Sequence, residues 1–182
     1  MAYSALYNPL SINIDDVGRV HSSDDRNKYP VGTIVILKEN YPSNDGDLIT
    51  ASNGIYMWVE AADTFTKGKP FLIAPSGLQA EAQADDLVAQ DSGASIGFAQ
   101  VDGVTGGKYF FAKLAGHIVD VDSAAGVTSG DYVKANASND NLEQGNGAGA
   151  TLDEEVVGVA TSSVSGGKIN ISVLPNRYVK IA

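Results

Sequence analysis

The chain has two histidines, His21 and His117, and His117 lies close to Asp120, Asp122 and Ser123. Imidazole, carboxylate and hydroxyl are the groups of a nucleophilic triad, in which the ring takes the hydroxyl proton and the carboxylate orients the ring. The spacing argues against that use. His117 falls where a strand is expected to begin, and alternate aspartates along a strand face solvent. Gly-Gly-Lys occurs twice, at Gly106-Gly107-Lys108 and Gly166-Gly167-Lys168. A phosphate loop needs a glycine five residues before its Gly-Lys pair and a hydroxyl residue after the lysine. Those places hold Asp102 and Tyr109 in one copy and Ser162 and Ile169 in the other, so the motif fails twice. Asp120-Val121-Asp122 and Asn44-Asp45-Gly46-Asp47 offer oxygen ligands, but neither continues into the calcium-loop pattern with its distal glutamate. Asp153-Glu154-Glu155 reads as a solvated loop. No catalytic, cofactor or metal site is assigned, and the chain reads as a structural or binding protein, not an enzyme.

Gly-Gly-Lys sits inside a longer repeat. Ile96-Gly97-Phe98-Ala99 and Tyr109 to Leu114 flank the first copy; Val157-Gly158-Val159-Ala160 and Ile169 to Leu174 flank the second. Two β-rich runs split by paired glycines read as a hairpin, because a type I′ turn needs positive φ at both central positions. Upstream, Thr66-Lys67-Gly68-Lys69-Pro70-Phe71 answers Thr128-Ser129-Gly130-Asp131-Tyr132-Val133. Residues of about 55–118 and about 118–178 therefore form two copies of one unit. Two are too few for a solenoid, which needs about three, so half-barrels or facing sheets are expected. In the second copy Ile169, Ile171 and Val173 alternate with Asn170 and Ser172, leaving one face wet. In the first, Tyr109, Phe110, Phe111, Ala112 and Leu114 leave only Lys113 polar. That strand should be covered on both faces, by the N-terminal segment or by another chain.

Composition sets the class. Acidic residues exceed basic ones by 22 to 12 in 182 residues, a formal charge of −10. This opposes nucleic acid, whose binding rests on lysine and arginine neutralising phosphates, and it opposes anionic membrane surfaces. Cysteine is absent, which excludes disulfides and thiolate chemistry. Met1 to Pro9 has no basic region and no long apolar core, so it does not read as a signal peptide, and no run approaches a membrane span. Twenty glycines among short β-branched runs point to an all-β protein, a compact β-barrel or β-sandwich with an extended N-terminal arm.

The arm covers residues 1–30 and the β domain 31–182. Tyr3, Leu6, Tyr7, Leu10, Ile12 and Ile14 make the arm apolar, with alternation at Leu10, Ile12 and Ile14. Such a segment packs on its own domain or along a neighbour as an added strand. Val31 to Leu37 reads as a buried strand, residues 41–47 as a turn, and Leu48 to Ala51 with Ile55 to Glu60 as a hairpin about Asn53-Gly54. Trp58 is expected in the core. Leu78 to Gln90 reads as an irregular loop with one helical turn, and Asn136 to Gly149 as a loop.

Ala125 to Ala135, with its Thr128-Ser129-Gly130-Asp131-Tyr132-Val133, then a Gly/Asn loop, Val157-Gly158-Val159-Ala160 and Lys168 to Leu174, resembles the small head decoration (capsid cement) proteins of tailed bacteriophages. The likeness spans about residues 55–175, and the first unit departs from it where Gly68-Lys69-Pro70-Phe71 replaces Gly-Asp-x-Val. The resemblance implies a β-barrel or β-sandwich on the outer surface of a virion capsid. Its partners would be the major capsid protein and further copies of itself, as dimer or trimer, and it would have no enzymatic activity. It also implies that the arm orders against a shell protein, with Tyr3, Leu6, Tyr7, Leu10, Ile12 and Ile14 as anchors; Phe110 is the further contact residue that the apolar strand suggests. Another virion part (fibre base, knob or tail) and a bacterial carbohydrate-binding β-module with Tyr56, Trp58, Tyr109 and Tyr132 exposed are the alternatives.

Overall fold

The computed structural model describes residues 2–7, 11–40, 51–74, 78–81, 95–136, 141–145 and 156–173, with backbone alone for 2–7, Ala51 and Ser95. Its strands are β1 (Ala2–Tyr7), β2 (Ile34–Asn40), β3 (Ala51–Ala61), β4 (Pro70–Ile73), β5 (Gln79–Glu81), β6 (Ser95–Phe98), β7 (Tyr109–Asp122), β8 (Tyr132–Ala135), β9 (Leu142–Gln144), β10 (Val156–Ala160) and β11 (Lys168–Val173). They form one 11-stranded sheet in the order β1-β2-β3-β5-β4-β6-β7-β11-β10-β8-β9. Because β3 also pairs with β7, strands β3-β5-β4-β6-β7 close on themselves, which makes a barrel. The second half of β7 opens another ring, β7-β11-β10-β8-β9, closed by a parallel bridge between Ser123 and Leu142. The chain is almost all β, as its composition implied.

The two rings share corresponding backbone hydrogen bonds. Ala62 N donates to Ala80 O at 2.8 Å and Ala124 N to Leu142 O at 2.7 Å. Gly68 N donates to Ala99 O at 2.9 Å and Gly130 N to Ala160 O at 2.8 Å, with φ of +91° and +93°. Both glycines thus hold a backbone conformation that a Cβ would strain. The Gly-Gly turns differ. Gly166 and Gly167 both have positive φ and Lys168 N donates to Ser165 O at 3.0 Å, the expected type I′ turn. In the first copy only Gly107 has positive φ. Gly106 is there for close approach, since a Cβ would lie 2.9 Å from Ala62 O.

Each ring has its own core. Val59, Phe65, Phe71, Ile73, Val104, Phe110 and Ala112 fill the first. Ile118, Val121, Val133, Leu142, Ile169 and Ile171 fill the second. A third cluster lies outside the barrels, where Ile12, Val17 and Tyr29 pack on Val35, Leu37, Tyr56, Trp58, Tyr109 and Phe111. β7 serves all three: Phe110 and Ala112 point into the first barrel, Tyr109 and Phe111 into the outer layer, and Ile118 and Val121 into the second barrel. Its first half is therefore covered on both faces, and the cover on the outer face is the chain's own N-terminal segment.

Several expectations are corrected. Residues 1–30 are not one extended arm. Among the described residues of this segment the one strand is β1, paired antiparallel with β2 from Ala2↔Asn40 to Tyr7↔Ile36. Ile14–Asp16 and Ser23–Asn27 are 3₁₀ turns. Ile12 is 3 % exposed, so it is a core residue rather than a free anchor, and Ile14 packs against the same cluster. Phe110 is fully buried inside the first barrel and offers no side chain to a partner. β2 buries one face only, with Ile34 and Lys38 exposed. Asn53-Gly54 is not a turn, because β3 runs straight through it. Gln79–Glu81 and Leu142–Gln144 are strands rather than loop, and β7 is continuous through His117. Leu10, the turn at 41–47, residues 48–50, 82–90, 137–140, 146–155 and 174–178 lie outside the described residues.

Candidate functional site

The residues with triad chemistry are not assembled. His117 is enclosed in mid-strand, whereas Asp120 is exposed. Asp120 pairs with Lys67 at 3.1 Å and Asp122 with Lys168 at 2.5 Å, and the Ser123 hydroxyl donates to Ala124 O at 3.0 Å. Lys168, from the second Gly-Gly-Lys, also reaches Lys67 O at 3.4 Å. Asp122 N donates to Gly68 O at 3.1 Å. These groups clamp the 66–69 turn of the first barrel to the far end of β7. Among the described residues no group of three or more His, Asp or Glu side chains is placed to hold a metal ion.

The polar cluster of the molecule lies instead where β2, β3 and β7 run side by side. In the β3 register, Ser52 faces Glu39 of β2 and Tyr56 faces Lys113 of β7. Gly54 lies between them on the same face. A Cβ there would sit 2.6 Å from Glu39 Cδ, so the missing side chain is the gap through which the Glu39 carboxylate crosses β3. Lys113 Nζ meets Glu39 Oε2 at 2.6 Å and His117 O at 2.5 Å. The Tyr56 hydroxyl donates to Glu39 Oε1, and Lys113 Nζ stands 5.3 Å from the Tyr56 ring centroid. Ser52 Oγ donates to Glu39 Oε2 at 3.4 Å and accepts from His117 N at 3.1 Å. Glu39 and Lys113 side chains are both 0 % exposed. Burial pushes the Lys113 ammonium down to about 8, with the Glu39 charge opposing the shift.

This cluster was not assigned from sequence. Its signal was present: Lys113 is the one polar residue in an apolar run expected to be covered on both faces, and a charge in that position must find a partner. Which carboxylate it meets depends on pairing across β3, which local sequence does not carry.

A second ionic group fastens the N-terminal layer. Asp16, 3 % exposed, accepts from the Tyr29 hydroxyl at 2.6 Å and pairs with Lys28 at 3.0 Å. Burial opposes its ionisation, but the Tyr29 and Lys28 hydrogen bonds outweigh burial and hold the carboxyl below the usual range. Of the residues expected to touch a partner, Tyr3, Leu6 and Tyr7 lie on β1, the end strand of the sheet order. Val31, just before β2, and Ile34, its first residue, are each 37 % exposed. The aromatic platform of a glycan-binding module is not formed, because Tyr56, Trp58 and Tyr109 are buried and Tyr132 alone is exposed.

The fold and site define an all-β protein of two barrels sharing one strand, with a buried ionic cluster at the junction of three strands. No protein-family model, curated protein or solved structure matches the chain. No helix among the described residues is long and apolar enough to cross a membrane.

Proposed function

We propose that the protein is a capsid decoration protein, binding the major capsid protein on the outer surface of a bacteriophage shell and bracing it. The observation that carries the reading is the structural role of the residues that bear the resemblance. Gly130 takes φ of +93°, and the Asp131 carboxylate accepts from Thr128 N at 2.7 Å and from Thr128 Oγ1 at 2.8 Å. Those bonds hold the Asp131 carboxyl below the usual carboxylate range, the Thr128 backbone bond most of all. Gly-Asp is thus a turn lock that starts β8, and the two Val-rich segments are β10 and β11 of the same ring. The likeness is one of architecture, which suits a family united by a scaffold rather than by catalytic groups.

Attachment falls to β1 and its surroundings. β1 pairs on one side with β2 and ends the strand order, so its outer backbone groups can take another strand. Many weak contacts of this kind add through multivalency on a shell. Gel densitometry of purified particles tests the role. A simple ratio to the major shell protein is expected; a dozen copies or fewer would move the protein to a fibre, neck or tail. Deleting residues 1–10, which stops short of buried Ile12, should leave a folded chain that no longer binds shells. Unchanged binding would remove the arm from the mechanism.

A further inference from the structure

We propose that Lys113 and Glu39 condense to an amide, giving the chain an internal covalent bond between β7 and β2. The two reacting side chains are 74 residues apart in sequence, both fully enclosed, and already in contact at 2.6 Å. Holding an amine against a carboxyl group in one orientation replaces an encounter in solution with an intramolecular step. The flanking groups are those the reaction needs. Tyr56 Oη donates to Glu39 Oε1, where negative charge develops when the amine adds to Cδ. His117 O accepts from Nζ at 2.5 Å and fixes the direction of the nitrogen. Ser52 Oγ lies 3.4 Å from Oε2, the oxygen that departs.

The step balances without a co-reactant. One proton passes from the ammonium to Oε2 along their hydrogen bond, giving amine and carboxylic acid. The nitrogen lone pair forms the Nζ–Cδ bond, and the carbonyl π pair moves onto Oε1. A second N–H proton passes to the Oε2 hydroxyl, the Cδ–Oε2 bond breaks, and water leaves as the Oε1 pair restores the carbonyl. One hydrogen stays on nitrogen. In the product the amide N–H keeps His117 O as acceptor, and the amide oxygen keeps the Tyr56 hydroxyl as donor.

The environment favours this direction. An enclosed ion pair keeps two charges out of water, which is costly even when they are paired; the amide removes both. The same enclosure shifts Lys113 towards its neutral, nucleophilic form, as the lowering to about 8 reflects. The bond would join β2, which carries the N-terminal strand, directly to the strand shared by both barrels.

Denaturing intact-mass spectrometry of the full chain, after incubation near pH 8, decides the question. The expected result is a mass lower by one water molecule, with a branched peptide joining residues 39 and 113 after proteolysis. Lys113→Arg, which keeps the charge, should show the full sequence mass, and Tyr56→Phe should approach the lower mass more slowly. Wild-type protein that is folded by Trp58 fluorescence yet has its full sequence mass would overturn the proposal. So would a water loss that maps to Asp102-Gly103, where an aspartyl succinimide would form, or one that persists in Lys113→Arg.

Discussion

Phe110→Ala separates two roles for one side chain. As an anchor for a partner, Phe110 would contribute to binding and little to the free chain. The structure makes it the floor of the first barrel. It is 0 % exposed, its ring is 5.7 Å from Phe71 in an edge-on arrangement and 6.2 Å from Phe65. Removing a buried phenylalanine to alanine costs about 3–5 kcal/mol. The loss of two ring partners, each about 0.5–1.5 kcal/mol beyond area burial, puts this site in the upper half of that range. At about 2–4 °C per kcal/mol for a chain of this size, the melting temperature should fall by roughly 8–20 °C. Urea unfolding followed by far-ultraviolet circular dichroism measures the change. Phe111→Ala provides the contrast on the opposite face of β7. It removes a ring 5.0 Å from Trp58, so it should alter native tryptophan emission, whereas Phe110→Ala should leave that emission nearly as it was. A loss below about 1 kcal/mol for Phe110→Ala would mean the side chain is not enclosed, and the first barrel as described would be refuted.

The remaining predictions concern the N-terminal layer and the bend of β7. Asp16 has a lowered folded pKa, so its contribution to stability is present above the ordinary carboxylate value and is lost as pH falls through the lower folded value. Asp16→Asn should therefore be less stable than wild type at neutral pH, and the gap should narrow in acid; urea midpoints at both conditions measure it, and a constant gap would contradict the assignment. Gly116 has φ of +100° and a Cβ there would lie 2.3 Å from Asn53 O, while Gly126, with φ of +96°, has open space around the same position. Gly126→Ala should cost about 1–2 kcal/mol from backbone strain alone, and Gly116→Ala distinctly more. Equal losses in thermal melts would show that β3 and β7 do not approach so closely.

The parts legible in sequence were those whose cause is local. Alternation of Ile169, Ile171 and Val173 marks a half-buried strand wherever it occurs, and Gly166-Gly167 specifies its turn without help from distant residues. The parts missed have causes elsewhere in the chain. Asn53-Gly54 has the chemistry of a hairpin turn, yet Gly54 serves to pass the Glu39 carboxylate across β3. β5 and β9 are three residues each, too short for a period to show; β5 is held by parallel pairing to β3 and antiparallel pairing to β4. The N-terminal segment lacks a helical period because it is built of 3₁₀ turns fixed by Asp16, Tyr29 and Lys28 rather than by a continuous apolar face. Lys113 announced that a partner was needed, but only the β2-β3-β7 register names Glu39.

Sharing β7 has a mechanical consequence. Repeats joined by a linker can pivot, because few contacts cross between them. Here the last strand of one barrel is the first strand of the next, and the Lys67–Asp120 and Lys168–Asp122 pairs tie the flanking turns to it. The β3 ladder on β7 ends at Ala115 and the β11 ladder begins at Gly116, so a hinge between the barrels is opposed by these ion pairs and by the Asp122 N to Gly68 O bond. The N-terminal layer is attached to the same strand through Phe111 and through the Glu39–Lys113 contact. Force applied at β1 would therefore pass through β2 into β7 and spread over both barrels. In a protein proposed to hold a shell against internal pressure, that path explains why the buried ionic cluster sits between the attachment strand and the shared strand rather than inside either barrel.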